Sequence, residues 1–416
     1  MRPRLLFLCQ NLPFPPDGGV QIRSWNVLRL LAREFDVTAL CFYRAGTRST
    51  PAAVEESLRG MREVAETEAF AIPQEHSRAR LAADHLRSVL SGRAYTVAAY
   101  DSAELRRTLR GLLAGRRFDL AHVDSLDLSG YLPLLSGLPT VCTHHNVESA
   151  LLRRRAASEA TAARRAYLRL QARLTEAEER RWCPRVALNV AVSEDDRALL
   201  ARLAPGARFM VVPNGVDTTA FQPGAGGREG IVFVGGYGWH PNRDALEHFC
   251  ADVLPLVRAR RPGVPVTFVG RAPEAVRREY RERHGVELTG YVDDVRPLVR
   301  GAACYVAPLR VGGGTRLKIL DAWALGKAVV STSVGCEGLE TRDGENILVR
   351  DGAQAFADAV CRVLEDEGLR ARLERGARRT AVERYDWEVI AGSMLDAYAS
   401  LLGGGPAGVE TLRAAG

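Results

Sequence analysis

The fold is decided by the stretch 304–322, CYVAPLRVGGGTRLKILDA. Its first four residues form a short apolar run that is typical of a buried parallel strand. Three consecutive glycines follow, and the pattern from about Thr315 onward predicts an amphipathic helix. A strand that passes through a glycine loop into a helix is a unit of an open α/β sheet, in which ligands bind beyond the carboxyl ends of the strands.

Similar apolar runs alternate with helical patterns on both sides of this stretch. The earlier runs are Leu5–Cys9, Val37–Phe42, Ala69–Ile72, Leu120–Val123, Thr140–Thr143 and Leu188–Val192. The later runs are Ile231–Val234, Val266–Val269, Val286–Leu288, Cys304–Ala307 and Ala328–Ser331. Continuous apolar strands separated by helices predict parallel sheets covered on both faces. The fold class is therefore α/β, and the two series indicate two Rossmann-like domains.

The seam between the two series lies near residues 205–230, where VVPNGVD (211–217) has turn chemistry and 223–230 is rich in glycine. We predict an N-terminal domain over 1–208 and a C-terminal domain over 209–385. A terminal helix over 386–402 and a loose tail over 403–416 follow. The predicted C-terminal helices are Ala353–Leu364, Leu369–Glu383 and Trp387–Leu401.

Composition points to a globular protein with an anionic partner. Of the 416 residues 46% are hydrophobic and 26% are charged, and the net charge is +7. This mild excess does not indicate nucleic-acid binding, but it suits a nucleotide diphosphate or the inner face of a membrane. Lys318 and Lys327 are the only lysines among 57 basic residues, so a lysine beside the glycine loop is informative.

The eight cysteines are scattered singly and have no metal-ligand spacing, so we expect buried free thiols in a reducing compartment and no metal. No run approaches the ~20 apolar residues that cross a bilayer, and the opening segment is too short for a signal peptide. We therefore expect a cytoplasmic enzyme, with peripheral contact at the inner membrane left open.

The stretch Leu151–Trp182 is alanine-rich and charged, and it predicts one long helix. Its arginines would face anionic lipid or an acceptor in one interpretation. The acids Glu176, Glu178 and Glu179 favour the other interpretation, a solvated face held by salt bridges.

The strongest candidate site is the start of the helix that follows Gly312–Gly314. Glycines let a ligand approach the backbone, and the first N–H groups of a helix form a seat for a diphosphate. Lys318 and Asp321 are three residues apart and share a helical face, where a cation can meet phosphate and a carboxylate can accept from ribose hydroxyls. The alternative is a glycine-rich turn before an ordinary amphipathic helix.

Two further loops are candidates. The stretch 231–243, IVFVGGYGWHPNR, runs through Gly235 and Gly236 and places His240, Asn242 and Arg243 where a second helix start could contact phosphate. The stretch 12–23, LPFPPDGGVQIR, puts Gly18 and Gly19 after the first strand, without a G-x-G-x-x-G fingerprint. Ordinary connecting loops are the alternative for both.

The fourth candidate is THHN, 143–146, at the end of a predicted strand. A histidine there can orient a sugar hydroxyl. We expect one of the two histidines to pack or cap, and we favour His145 as the functional one.

At these residues the chain resembles the retaining family-4 glycosyltransferases of the GT-B fold, and within them bacterial sugar transferases linked to exopolysaccharide assembly. The likeness covers nearly the whole chain. It is most specific at 211–217, at GYVDD (290–294) and at GGGTRLKILDAWALGKAVVSTSVGCE (312–337).

The resemblance implies two domains that face across a cleft, with an N-terminal acceptor domain, a C-terminal donor domain and a terminal helix that crosses back. It implies a nucleotide-diphosphate sugar as donor, a glycan or lipid-linked acceptor, retention at the anomeric carbon, and neither metal nor cofactor. The base would lie against Tyr291 and Val292, and His145 would lie near the sugar. The remaining matched positions, mostly around the diphosphate, are Gly18, Gly19, Arg243, Gly313, Gly314, Thr315, Arg316, Lys318 and Asp321. Gly236 and His240 are added as donor-binding candidates from the loop sequence alone.

The chain departs from the family pattern in three places. The paired glutamates of the family, eight positions apart, fall here on Gly313 and Asp321. The usual arginine and lysine after the first strand of the donor domain are absent in that form, and we expect Arg243, Arg316 and Lys318 to compensate.

The predicted mechanism is electrostatic, with helix amides and Lys318 stabilising charge on the leaving diphosphate. His145 and Lys318 are the predicted catalytic residues. Two alternatives remain at this point: an epimerase of the same fold acting on a nucleotide sugar, and a non-catalytic nucleotide-sugar-binding protein.

Overall fold

The computed structural model describes residues 2–44, 50–73, 77–224, 229–313 and 316–403. The chain forms two compact units. The first contains the chain up to Val212 and again from Ala391, and the second is Pro213–Ile390. The domain boundaries at residues 208 and 385 remain sequence-based predictions.

The first unit is a seven-stranded parallel sheet in the order β3-β2-β1-β4-β5-β6-β7. Its elements are β1 (Arg4–Cys9), α1 (Gly19–Leu31), β2 (Asp36–Tyr43), α2 (Pro51–Arg62), β3 (Glu66–Ala71), α3 (Arg78–Ser91), α4 (Tyr95–Ala99), α5 (Ala103–Gly115), β4 (Leu120–Val123), a 3-10 helix (Leu126–Leu135), β5 (Thr140–His144), α6 (Glu148–Ser158), α7 (Ala162–Trp182), β6 (Leu188–Ala191), α8 (Glu194–Leu203) and β7 (Phe209–Val211).

The central strands of this sheet are buried on both faces, as their unbroken apolar sequences predict. In β1 the run Leu5–Cys9 is at most 1% exposed, and β4 beside it is equally buried. Serine side chains begin several of the surrounding helices; Ser102, for example, accepts a hydrogen bond from the Leu105 amide at the start of α5.

The prediction of one long helix over Leu151–Trp182 is wrong, because the chain breaks between α6 and α7. Glu159 is extended, and its carboxylate accepts from the Thr161 amide. This local bond competes with continued helix formation, and no glycine or proline marks the position. The two helices pack together, and Arg153 of α6 pairs with Glu176 of α7, in line with a salt-bridged face.

The second unit is a six-stranded parallel sheet in the order β10-β9-β8-β11-β12-β13. Its elements are β8 (Ile231–Val234), α9 (His240–His248), a π-helical turn (Phe249–Val253), α10 (Leu254–Arg260), β9 (Val266–Val269), α11 (Glu274–His284), β10 (Glu287–Leu288), α12 (Arg296–Gly301), β11 (Cys304–Ala307), α13 (Leu317–Ala324), β12 (Val329–Ser331), β13 (Leu348–Val349), α14 (Ala353–Glu365), α15 (Glu367–Thr380) and a second π-helical turn (Ala381–Tyr385). Helix α16 (Trp387–Leu402) follows, and from Ala391 onward it belongs to the first unit.

The predicted α/β class is confirmed, since both sheets are parallel and lie between helices. Every apolar run expected to be a strand overlaps one. The short edge strands β7 and β13 were not predicted, because three half-buried residues in β7 and only two residues in β13 give no clear pattern. Helix α13 begins at Leu317 rather than near Thr315, and Gly314 and Thr315 lie outside the described residues.

No helix among the described residues is both long enough and apolar enough to cross a membrane.

Candidate functional site

In the second unit the two loops singled out from the sequence follow neighbouring strands. Strands β8 and β11 pair in parallel, so their carboxyl ends meet at one edge of the sheet. The loop after β8 leads into α9, and the glycine loop after β11 leads into α13. The starts of α9 and α13 therefore lie beside each other, at the edge where open parallel sheets bind ligands.

Lys318 joins these two helix starts. Its Nζ donates to the Asn242 Oδ1 at 2.6 Å, and the Asn242 Nδ2 donates to the Gly236 carbonyl at 3.0 Å. The same ammonium lies 4.3 Å from the centre of the Phe233 ring. Among the described residues Lys318 has no acidic partner. A cation held by an amide and an aromatic face remains able to bind an anion.

Asp321 lies one turn further along α13, partly buried beside the core residues Ile319 and Leu320. Burial raises the pKa of Asp321 to about 7. Burial, followed by the charge of Arg316, lowers the pKa of Lys318 to about 7. Both groups are thus held near their titration points, and a bound anion would favour the charged form of Lys318.

Arg316 is buried and folds back onto the glycine loop. Its Nη1 donates to the Gly313 carbonyl at 2.8 Å and its Nη2 to the Val334 carbonyl at 3.4 Å. Gly312 has a φ of 120°, and a Cβ there would lie 3.0 Å from the Arg316 Nη2. A glycine is therefore required at position 312, and Arg316 shapes the loop whose role in donor binding remains a prediction.

The other predicted residues of α9 point outward. His240 is the first, exposed residue of the helix, and Pro241 occupies the first turn, as predicted. The Arg243 guanidinium lies 5.9 Å from the centre of the Tyr237 ring, and its Nε is 4.0 Å from Glu247. Arg243 contacts neither Lys318 nor Arg316 among the described residues, so its compensating role remains a prediction.

The loops after β8, β9 and β10 converge on glycines. A Cβ on Gly270 would lie 2.5 Å from the Gly235 carbonyl, and Gly270 bridges to Gly290. Beside this junction the ring of Tyr291 is 64% exposed, with the Arg271 guanidinium 4.6 Å from its centre. The structure thus presents an exposed aromatic ring at the position predicted to meet the base.

Val292, the other residue predicted to meet the base, is partly buried against the core of the second unit. Its side chain therefore supports the loop, while Tyr291 provides the accessible surface.

In the first unit, His145 follows β5 and Asp124 follows the neighbouring strand β4. The His145 Nε2 lies 3.3 Å from the Asp124 Oδ2. Because an ionised carboxylate only accepts, this contact places the proton on Nε2 and leaves Nδ1 as an acceptor. Nδ1 of His145 has no hydrogen-bond partner among the described residues. That nitrogen is the one able to accept from a sugar hydroxyl.

Asp124 is fully buried and surrounded by donors. The Ser24 Oγ donates to Oδ2 at 2.5 Å and the Cys9 Sγ lies 3.4 Å away. Although burial alone raises the pKa of Asp124, its electrostatic interaction with His145 and hydrogen bonds from His122 and His145 hold that pKa well below its usual range. Asp124 is a fixed anion that orients His145.

Arg23 of α1 is 1% exposed and interacts electrostatically with Asp124. Burial lowers the pKa of Arg23 to about 10, while the charge of Asp124 opposes this shift. The guanidinium therefore stays charged at neutral pH and balances the buried carboxylate.

His144 takes the packing role expected for one of the two histidines. It is 3% exposed, and its Nε2 lies 3.0 Å from the Asn189 Oδ1. Burial lowers the pKa of His144 to about 4, so its ring is neutral at pH 7.

A cavity beside His145 is lined by Ser125, Asp127, Asn146, Glu148 and Thr175 among others. Burial, followed by the charge of Asp127, raises the pKa of Glu148 to about 7. Polar side chains that surround a cavity next to a histidine suit a hydroxyl-rich ligand.

Gly18 and Gly19 lie at the start of α1, after β1. Gly18 caps the helix with an extended backbone, and a Cβ there would lie 2.4 Å from the Gln21 Oε1. Gly19, the first helical residue, is exposed. The N-terminus of α1 at Gly18 and Gly19 is therefore accessible to solvent. Contact of these two residues with a ligand remains a prediction.

Sequence reasoning missed one contact and two residues of these sites. Asn242 was placed at a helix start but not joined to Lys318, which is 76 residues away in sequence. Asp124 directly follows the predicted strand Leu120–Val123, a signal that was available. The sequence gives no sign that Arg23 of α1 is buried, because its burial depends on tertiary packing.

Two family models match the chain. Residues 17–220 match the model described as Glycosyltransferase Family 4, and residues 228–366 match the model described as Glycosyl transferases group 1. One match falls mainly in each unit, and together they support a GT-B glycosyltransferase.

Curated relatives include two mannosyltransferases. The phosphatidyl-myo-inositol mannosyltransferase of Mycolicibacterium smegmatis is 33% identical over 218 residues, which are 49% of this chain and 54% of that protein. The GDP-mannose:cellobiosyl-diphosphopolyprenol alpha-mannosyltransferase of Xanthomonas campestris is 26% identical over 231 residues, 51% of this chain and 58% of that protein. The chain thus spans just over half the length of these relatives.

Among solved structures, Anabaena HepE in complex with UDP superposes with a TM-score of 0.66 at 14% identity, covering 95% of this chain and 100% of that chain. At this identity the likeness concerns the fold, and the fold is GT-B, as predicted.

Proposed function

We propose that this protein, whose fold is GT-B and whose two family matches are both glycosyltransferase models, is a retaining hexosyltransferase. It moves a sugar from a nucleotide-diphosphate sugar to a hydroxyl of a glycan or lipid-linked acceptor in cell-surface or exopolysaccharide assembly. The two mannosyltransferase relatives, one of which has a diphosphopolyprenol-linked acceptor in its name, support this class of substrate. No metal or other cofactor takes part in the proposed reaction.

The observation that carries the proposal is Lys318 at the start of α13. Its ammonium has a neutral amide and an aromatic face as neighbours, beside the glycine loop at the carboxyl edge of the sheet. We assign this point to the donor diphosphate, with Asp321 accepting from ribose hydroxyls and Tyr291 stacking on the base. The first unit receives the acceptor, and His145 binds a sugar hydroxyl through Nδ1.

In the proposed reaction the bond between the anomeric carbon and the diphosphate oxygen breaks, and a bond from the acceptor oxygen forms on the same face. The acceptor proton passes to the leaving phosphate, so no side-chain base is needed. Lys318 and the amides of α13 stabilise the negative charge that develops on the diphosphate.

The test is nucleotide release from a panel of UDP- and GDP-hexoses, with and without a polyprenyl-diphosphate sugar or phosphatidylinositol acceptor. We expect release that depends on acceptor and is unaffected by EDTA, and a product whose anomeric proton shows retention by NMR. Isomerised donor without acceptor, or no release with any donor, would contradict the proposal. Peripheral contact with the inner membrane is part of the proposal.

A further inference from the structure

Helix α3 has its polar and apolar sides reversed relative to an ordinary surface helix. Its side toward the protein carries Asp84 and Ser88, which are 1% and 0% exposed. Within the helix the Arg80 Nε donates to both oxygens of Asp84 at 2.9 Å. Toward the rest of the unit the Arg80 Nη2 donates to the Asp101 carbonyl at 3.3 Å, and Ser88 accepts from the Gln171 Nε2 at 2.9 Å. Polar contacts therefore fasten the helix to the first unit.

The opposite side of α3 is apolar and exposed. Leu86, Val89 and Leu90 are 58%, 46% and 78% exposed. These positions are spaced by three and four residues, so they share one face, turned away from Asp84 and Ser88. With Ala82 they form what we call the outward face of α3. Such a stripe on a surface helix ordinarily faces a core, and its exposure marks an interaction surface.

The charges around the outward face are positive. Arg78 and Arg87 of α3 are exposed on its two flanks, and Asp84, the only acid of the helix, is buried and paired. Arg87 also pairs with Asp101. An apolar stripe bordered by arginines matches a surface that combines acyl chains with anionic headgroups.

The neighbouring helix α7 extends this charge pattern. Tyr167 and Gln171 of α7 contact His85 and Ser88 of α3. Arg164 lies one turn before Tyr167 on the same face of α7 and is exposed. Glu159 is an acid near Arg164.

We propose that the outward face of α3 docks this protein onto an anionic lipid bilayer. The 14-residue helix, about 21 Å long, would lie in the plane of the interface, with Leu86 and Leu90 among the acyl chains. The arginines at its borders would meet the headgroups. This surface is separate from the donor site of the proposed transferase, and docking does not require the transfer reaction.

The test is flotation of the full chain with vesicles of phosphatidylcholine alone or with 30% phosphatidylglycerol. We expect binding to the anionic vesicles that weakens with salt, and a loss of about tenfold or more in the double variant Leu86→Ser, Leu90→Ser. The matched control is Val389→Ser, a 52% exposed apolar residue of α16, which should bind like the wild type. Arg78→Gln with Arg164→Gln should weaken binding to anionic vesicles only.

Several outcomes would overturn the docking proposal. They are no binding of the wild type to anionic vesicles, equal binding to neutral vesicles, or wild-type binding by the leucine variant. If the wild type sediments as a dimer and the leucine variant as a monomer, the face binds a second copy. If the variant has a clearly lower melting temperature, the face is covered by this chain. Activity on a soluble acceptor reports the transferase proposal separately.

Discussion

The two units place charged side chains at the carboxyl edge of a parallel sheet, but they stabilise those charges differently. In the first unit Asp124 is surrounded by His145, Ser24 and the buried Arg23, and its pKa is pushed down. In the second unit Lys318 and Asp321 have no ion-pair partner among the described residues, and burial moves both pKa values to about 7. The charges around Asp124 compensate one another within the protein. Lys318 and Asp321 lack such partners in the described part of the chain, so a bound ligand would have to compensate their charges.

The largest effect is expected when the unpaired cation is removed. Lys318→Met should lower kcat by about 100-fold to 1000-fold, because it removes charge stabilisation of the leaving diphosphate. Its melting temperature should not fall, since a buried charge without a counter-ion is also removed. Steady-state nucleotide release and a thermal melt measure the two effects.

The matched control is the other lysine of the chain. Lys327 donates to the carbonyls of Arg300 and Ala302, and it has no assigned role in the donor site. Lys327→Met should lower the melting temperature while each folded molecule keeps near-normal kcat. The reverse pattern for the two lysines would show that Lys318 is structural.

The next test compares the two buried carboxylates. Asp124→Asn should lower the free energy of unfolding by about 3 kcal/mol, because it leaves the buried Arg23 without its counter-charge. Asp321→Asn should leave that free energy unchanged or raise it, because it removes a carboxylate that burial disfavours. Urea unfolding of both variants at pH 8 decides the point, and equal destabilisation would remove the distinction between the sites.

A smaller effect is expected in the pH dependence of stability. The pKa of Lys318 is about 7 in the folded protein and about 10.4 when unfolded. Between these values the unfolded chain binds more protons, so this group makes stability rise with pH. Lys318→Met should flatten the rise between pH 7 and pH 10 by about 1–2 kcal/mol relative to the wild type, which is less than the ~4 kcal/mol of the full pKa difference because solvent screens the partly exposed side chain. Parallel profiles for the two proteins would contradict the lowered pKa.

The smallest predicted change concerns the exposed ring beside the glycine junction. Tyr291→Ala should weaken binding of a nucleoside diphosphate by about threefold to tenfold, since a stacking contact contributes roughly 0.5–1.5 kcal/mol. Inorganic pyrophosphate, which has no base, should bind both proteins equally. An equal loss for both ligands would mean that the variant disturbs the diphosphate seat instead.

The sequence predicted the fold well, because buried parallel strands leave unbroken apolar runs such as Ile231–Val234 and Cys304–Ala307. It predicted the break between α6 and α7 poorly, since that break depends on one carboxylate-to-amide bond at Glu159. The positions of the candidate site residues could also be predicted, because they follow the carboxyl ends of strands that the apolar runs locate. The contacts between them could not, because the Lys318–Asn242 bond joins separate βα units.

The most direct test of the central claim is proton uptake when a nucleoside diphosphate binds. Titration calorimetry with UDP and with GDP at pH 8, in buffers of different ionisation enthalpy, counts the protons taken up. Because Lys318 is largely neutral at that pH and a bound diphosphate favours its charged form, we predict uptake approaching one proton per nucleotide by the wild type. Lys318→Met should bind more weakly and take up none. Tight binding without proton uptake, or equal uptake by both proteins, would contradict the account.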